Sequence, residues 1–96
     1  MDRIIARELI EKELSVLRKL SYGEWLQRID RVSTKSISGP DGKEYQVEIQ
    51  PFWDSKKGGN IRVLVSLSSG GLSDFIPMSG AFIISPSGTF VGEGSN

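Results

Sequence analysis

Two stretches of alternating apolar and polar residues, joined by a glycine-rich turn, constrain the fold of this chain more than any other feature. The first spans Glu44–Trp53, the second spans residues 61–67, and the turn between them reads DSKKGGN. In the first stretch Tyr45, Val47 and Ile49 alternate with polar residues. A period of two is typical of a β-sheet with one buried face and one face in contact with water. The sequence therefore predicts a β-hairpin at the centre of the fold.

A long amphipathic helix is predicted before this hairpin, over residues 2–20. Its apolar residues recur at helical spacing. They are Ile5, Leu9, Val16 and Leu20 on the central line of the apolar arc, with Ala6, Ile10, Leu14 and Leu17 flanking that line. The arc covers close to half of the helix, which is wider than a helix lying on a sheet needs. Either the sheet curls around the helix or one flank contacts another molecule, and both alternatives stay open.

A second, short helix is predicted over residues 21–29. Ser21 with Glu24 three residues later is typical of a capping box, in which each side chain accepts a hydrogen bond from the backbone of the other residue. Trp25 follows directly, and we expect its large apolar side chain to close one end of the core.

A hairpin is also predicted before the central one. GPDGK has the residues of a tight turn and joins a strand at residues 32–38 to Glu44–Trp53. Pro51 has no backbone N–H to donate, so the strand either lies at an edge of the sheet there or bulges. Either arrangement is expected to displace Phe52 and Trp53 from the simple alternation.

The last third of the chain is predicted to form short strands separated by reversals. SSGGLSD marks the first reversal, and two apolar segments follow at residues 75–78 and 81–85, with another reversal at Ser79 and Gly80. A turn at residues 86–88 leads into a short strand at 89–91.

These elements predict an α+β fold, in which the long N-terminal helix and the short helix pack on an antiparallel β-meander of about four to six short strands. A chain of 96 residues without a linker is expected to form a single domain over residues 1–96. Residues 1–30 are predicted to be helical, residues 31–92 to form the sheet, and residues 93–96 to form a tail.

The composition argues against several kinds of chemistry. The chain contains no cysteine and no histidine, which removes disulfides, thiolate nucleophiles and the commonest metal ligands. No catalytic motif is recognisable, so we expect neither an enzyme nor a cofactor. Twelve basic and twelve acidic residues give zero formal charge, so no global field favours nucleic acid or an anionic membrane. The charged N-terminus resembles neither a signal peptide nor a membrane span, and we expect a cytoplasmic protein.

A candidate binding surface surrounds the DSKKGGN turn, where polar, charged and aromatic groups are densest. It comprises Phe52, Trp53, Asp54, Lys56, Lys57, Asn60, Arg62 and Leu64. Our first hypothesis is a non-enzymatic protein-interaction module that binds another protein or a second copy of itself through a sheet or helix surface. Leu64, Phe52 and one residue of each of the pairs Phe75/Ile76 and Ile83/Ile84 support it, because they are apolar positions on a face that the alternation predicts to be polar.

The alternative hypothesis is a small-ligand or single-stranded nucleic-acid binder that uses the turn itself. Lysines supply positive charge, glycines let backbone amides approach an anion, and aromatic rings stack on bases. The turn lacks the spacing of a phosphate-binding loop, so a solvated hairpin loop is the simpler interpretation. A cation site at Asp41, Asp74 and Glu93 is a weaker possibility, because aspartate is common in such turns for local hydrogen bonding.

Four motifs of the chain resemble those of a family of small uncharacterised bacterial proteins. The shared pattern is GPDG, then FWD, then GGNIRV, and finally PSGTFVGE, and it covers roughly residues 38–93. Ser87 stands where that pattern would place aspartate, a difference that concerns only the chemistry of the turn. The pattern is specific as a signature of that family, but the resemblance implies no activity and no catalytic residue.

Overall fold

The computed structural model describes residues 3–69 and 78–93, which form two helices and a four-stranded sheet. In chain order the elements are α1 (Arg3–Leu17), α2 (Tyr22–Leu26), β1 (Ser33–Ser38), β2 (Glu44–Trp53), β3 (Ile61–Ser69) and β4 (Met78–Ile84). The sheet is an antiparallel meander in the order β1-β2-β3-β4. The predicted α+β fold is therefore confirmed, as is the central hairpin of β2 and β3.

The pairing of β2 with β3 runs without interruption from Tyr45 opposite Ser69 to Trp53 opposite Ile61. Pro51 thus causes no bulge. Pairing with β1 ends at Ile49, so Pro51 lies beyond that partner and the edge alternative is confirmed. Trp53 then keeps to the alternation, and its predicted displacement is wrong.

The prediction of two apolar segments separated at Ser79 and Gly80 is wrong. Both residues lie inside β4, which pairs continuously with β3 from Met78 opposite Leu67 to Ile84 opposite Ile61. Gly80 acts there as a contact point: a Cβ atom built on it would lie 2.9 Å from Cδ1 of Leu14 in α1. A glycine inside a strand can mark such a close approach as well as a turn, and the sequence pattern does not separate the two cases. The predicted reversal at residues 68–74 and the segment at 75–78 fall mostly outside the described residues.

Helix α1 packs on the sheet by a narrower face than the sequence predicted. Its buried apolar residues are Ala6, Ile10, Leu14 and Leu17, the predicted flank of the arc. Val16, predicted on the central line, is 51% exposed, and Ile4 is 74% exposed. The predicted apolar arc contained no charged residue. Glu13 is nevertheless buried, and its Oε1 lies 2.8 Å from Nζ of Lys35 in β1. The helix is therefore rotated toward the side that reaches β1.

The predicted capping box of α2 is confirmed. The Glu24 backbone N–H donates to Ser21 Oγ at 3.2 Å, and the Ser21 N–H donates to Glu24 Oε2 at 2.7 Å. This cap places Trp25 in the core, where it is fully buried and meets Phe82 edge to face. The Tyr22 hydroxyl donates to the Gly59 carbonyl at 2.7 Å, which ties α2 to the β2–β3 turn.

The C-terminal segment packs on the side of the sheet that the two helices cover. Only Phe90 of the predicted strand at 89–91 pairs, as an isolated bridge to Ile84. Arg18 lies with its guanidinium carbon 5.3 Å from the Phe82 ring centre, and its Nη2 is 2.8 Å from Oε2 of Glu93. In residues 3–69 and 78–93, neither helix is long and apolar enough to cross a membrane.

Candidate functional site

The two faces of the sheet are covered differently. Both helices pack on one face, whose side chains form the buried core with Val63 and Val65 at its centre. We call the opposite side the open face, because no described helix or strand packs on it. Its side chains alternate with the core residues along the strands and are partly exposed.

An apolar patch occupies one end of the open face. It consists of Phe52 on β2, Leu64 on β3, and Ala81 and Ile83 on β4, and we call it the open-face patch. The strand register brings these residues together, because Arg62 pairs with both Phe52 and Ile83. Leu64 pairs with Ala81 on one side and with Gln50 on the other. Four apolar side chains from three adjacent strands therefore surround one arginine.

The other end of the open face is polar. Gln50 donates from Nε2 to Oε1 of Glu48, two residues away on the same strand. Ser66 of β3 pairs with Glu48 on one side and with Ser79 on the other. The face therefore changes from apolar to polar along the strands, with Leu64 and Gln50 at the boundary.

The DSKKGGN turn is organised by hydrogen bonds within the protein. Asp54 Oδ1 accepts from Nε of Arg62 at 2.9 Å and lies 2.8 Å from its Nη2. The Asp54 backbone N–H donates to the Asn60 carbonyl at 2.9 Å and closes the turn. Lys56 and Lys57 are exposed at its tip. Arg62 is thus held at the base of the turn by a carboxylate.

The eight residues of the predicted binding surface do not lie on one surface. Phe52, Arg62 and Leu64 are on the open face, whereas Trp53 lies on the opposite side and packs against the core. Phe52 and Trp53 therefore face opposite sides of the sheet and do not form one surface on which bases could stack. The structure places Ile83 and Ala81 beside the open-face members of the predicted set. The sequence pattern gave Ile83 as one of two possibilities and did not predict Ala81.

A cleft between α2 and the start of β1 was not predicted. It has a volume of about 240 Å³, and its lining residues are Trp25, Arg28, Arg31, Ser33, Ile49 and Pro51. The guanidinium carbon of Arg28 lies 5.6 Å from the Trp25 ring centre. The Trp25 Nε1 is buried and has no hydrogen-bond partner in the part of the chain that the structure describes. The two arginines three residues apart were the available signal, but sequence alone does not show that they flank a buried indole.

The carboxylates considered for a cation have local partners instead. Asp41 Oδ2 accepts from the Tyr45 hydroxyl at 2.7 Å, and this bond holds the pKa of Asp41 below its ordinary value of 3.8. Glu93 is bound to Arg18, and Asp74 lies outside the described residues. Within residues 3–69 and 78–93, no group of three acidic side chains is placed to hold a metal ion.

No protein-family model, no curated protein and no solved structure matches this chain. The resemblance to small bacterial proteins therefore stays a prediction.

Proposed function

We propose that the protein is a non-enzymatic, cytoplasmic protein-interaction module that acts through the open face of its sheet. The observation that carries this proposal is the open-face patch of Phe52, Leu64, Ala81 and Ile83. Apolar side chains grouped on three adjacent strands and rimmed by polar ones are the usual composition of a protein contact site. On the opposite face of the same sheet, the two helices cover the apolar side chains and bury them in the core.

Self-association is the simplest form of this interaction. Every copy carries the same patch, so a two-fold arrangement buries two patches with one contact. The formal charge of the chain is zero, so two copies do not repel each other. Arg62 inside the patch is already paired with Asp54, which lowers the cost of covering it.

Sedimentation velocity at micromolar concentration tests the proposal. We expect the parent protein to sediment as a dimer and Leu64→Asp to sediment as a folded monomer, because a carboxylate within the patch would lose its water in the complex. Ser66→Asp is the matched control, since it adds the same charge to the same strand at the polar end. It is expected to weaken the dimer much less.

A monomeric parent protein would redirect the test to a different partner. In that case the parent, and not Leu64→Asp, should retain a protein from a lysate of the native cell, with Ser66→Asp retaining it as well. A strictly monomeric parent whose Leu64→Asp variant is equally soluble, equally stable and captures the same proteins would contradict the proposal.

A further inference from the structure

The cleft between α2 and the start of β1 is lined by two arginines that have no carboxylate partner among the described residues. Its charged lining groups are the guanidinium groups of Arg28 and Arg31, and no carboxylate lines it. Guanidinium groups donate hydrogen bonds and cannot accept them. Among residues 3–69 and 78–93, the ion pairs formed are those of Arg18, Lys35 and Arg62, so neither cleft arginine has a carboxylate partner there.

The orphaned indole N–H of Trp25 is a second, independent sign of a missing acceptor. Trp25 is fully buried, and its Nε1 has no hydrogen-bond partner within residues 3–69 and 78–93. A buried donor left without an acceptor costs about 1–3 kcal/mol, so such groups are rare in folded proteins. Arg28 lies over the indole ring, but as a donor it cannot satisfy this N–H. The only lining hydroxyl, that of Ser33, does not bond to it.

Apolar groups form the remainder of the cleft wall. Ile49 and Pro51 of β2 lie beside Trp25, and both are buried. A bound anion would therefore meet donors on one part of the wall and carbon atoms on the other. This combination favours an organic anion over a small inorganic one, because inorganic phosphate has no apolar part to place against Ile49 and Pro51.

We propose that this cleft binds a carboxylate carried on an apolar group. The carboxylate accepts hydrogen bonds from Arg28 and Arg31, because its planar geometry is the one that guanidinium groups recognise best. The apolar group lies against Ile49 and Pro51. Trp25 borders the same cleft, so the resonance of its indole N–H reports binding there. This site is separate from the open face, so it neither depends on the proposed interaction nor supports it.

Titration with phenylacetate, followed by two-dimensional ¹H–¹⁵N NMR, tests the proposal directly. The chain has two tryptophans and so two indole resonances, which Trp53→Phe assigns. We expect the Trp25 indole resonance to shift and to saturate with a dissociation constant of about 1 mM, a typical affinity for so small a ligand. Phenylacetamide, which has the same shape without the charge, is expected to produce no saturable shift.

The variant Arg28→Gln/Arg31→Gln is expected to weaken phenylacetate binding at least tenfold, which corresponds to about 1.4 kcal/mol. Arg3→Gln/Arg7→Gln removes the same charge from the exposed side of α1 and is expected to leave the affinity unchanged. The spectrum itself reports whether each variant is folded, and the comparison of acid with amide needs no variant.

Three results would overturn the inference. One is the absence of a saturable shift of the Trp25 indole. Another is equal binding of phenylacetate and phenylacetamide. The third is equal binding of inorganic phosphate, which would remove the role assigned to Ile49 and Pro51.

Discussion

Gly80 of β4 lies directly against Leu14 of α1, with no space between them for a side chain. A Cβ atom on Gly80 would be 2.9 Å from Leu14 Cδ1 and 3.0 Å from Ile10 Cγ2. Both leucine and isoleucine are buried, so neither can turn into solvent to make room. The absence of a side chain at residue 80 therefore sets how closely the helix approaches the sheet.

Gly80→Ala is expected to lower the free energy of unfolding by about 1–3 kcal/mol, the usual cost of overpacking a core. Urea denaturation followed by circular dichroism measures this change. Gly23→Ala is the matched control, because its added Cβ would lie 3.9 Å from Ser21 Oγ, an ordinary contact distance. Because Gly23 lies in α2, alanine there is expected to be neutral or to stabilise by up to about 1 kcal/mol. Equal effects of the two substitutions would contradict the role assigned to Gly80.

The same glycine shows where sequence patterns reach their limit. Alternation predicted β2 with its observed bounds, because burial on one face of a sheet dictates a period of two. The capping box of α2 was likewise predictable, since Ser21 and Glu24 act within a single turn of chain. Gly80 was mistaken for a reversal because its role depends on a helix more than sixty residues away in sequence. Local signals do not carry that information.

The candidate site was predictable only in part, for the same reason. Phe52 and Leu64 stood out as apolar residues on a polar face, and the structure places both on the open face. Their neighbour Ala81 depends on the register of β4, which the sequence does not fix. The cleft at Trp25 depends on how α2 meets β2 and left no trace in the hydrophobic pattern.

The ion pair between buried Glu13 and half-exposed Lys35 is expected to link α1 to β1. The Glu13 side chain is 10% exposed, whereas that of Lys35 is 49% exposed, so solvent screens the attraction in part. Lys35→Met is expected to destabilise by about 1–2 kcal/mol, because it leaves a buried carboxylate without its partner.

A double-mutant cycle with Glu13→Gln and Lys35→Met isolates the pair. We expect a coupling energy of about 1 kcal/mol, measured by urea denaturation at low salt. The pair of Arg18 and Glu93 serves for comparison, because its side chains are 30% and 41% exposed. Its coupling should be smaller and should fall further in salt. A coupling near zero for Glu13 and Lys35 would show that the contact does not hold α1 in place.

The turn between β1 and β2 is expected to weaken in acid. The hydrogen bond from Tyr45 is the main cause that lowers the pKa of Asp41 below 3.8, and the backbone N–H of Lys43 contributes as well. A carboxyl whose pKa is lower in the folded state stabilises the fold above its unfolded pKa. That contribution is lost as the pH falls through the folded pKa. Stability from Asp41 is therefore present above about pH 4 and disappears below it.

Tyr45→Phe tests this relation, because it removes the hydroxyl and keeps the buried ring. The pKa of Asp41, followed by the NMR shift of its carboxyl carbon, is expected to rise toward 3.8. The difference in unfolding free energy between Tyr45→Phe and the parent should shrink as the pH falls below about 4. Tyr22→Phe, which removes a hydroxyl bonded to a carbonyl, should show no such pH dependence. An unchanged Asp41 pKa in Tyr45→Phe would rule out the hydrogen bond as its cause.

Asp30, which leads the chain from α2 toward β1, has a positive φ of 62°. Its backbone N–H donates to the Pro51 carbonyl at 2.8 Å, which fixes this conformation against β2. Aspartate and asparagine tolerate positive φ, glycine adopts it freely, and a β-branched residue does not. Asp30→Val is therefore expected to lower the free energy of unfolding by about 1–2 kcal/mol.

Asp30→Asn and Asp30→Gly separate the backbone effect from loss of the carboxylate. Asp30→Asn should leave the free energy of unfolding within about 0.5 kcal/mol of the parent value. Asp30→Gly should equal the parent value or exceed it by up to about 1 kcal/mol. Thermal unfolding of the four proteins under one condition measures the order. If valine proved as stable as glycine, the positive φ would not be a constraint in solution, and the bond from residue 30 to Pro51 would not require it.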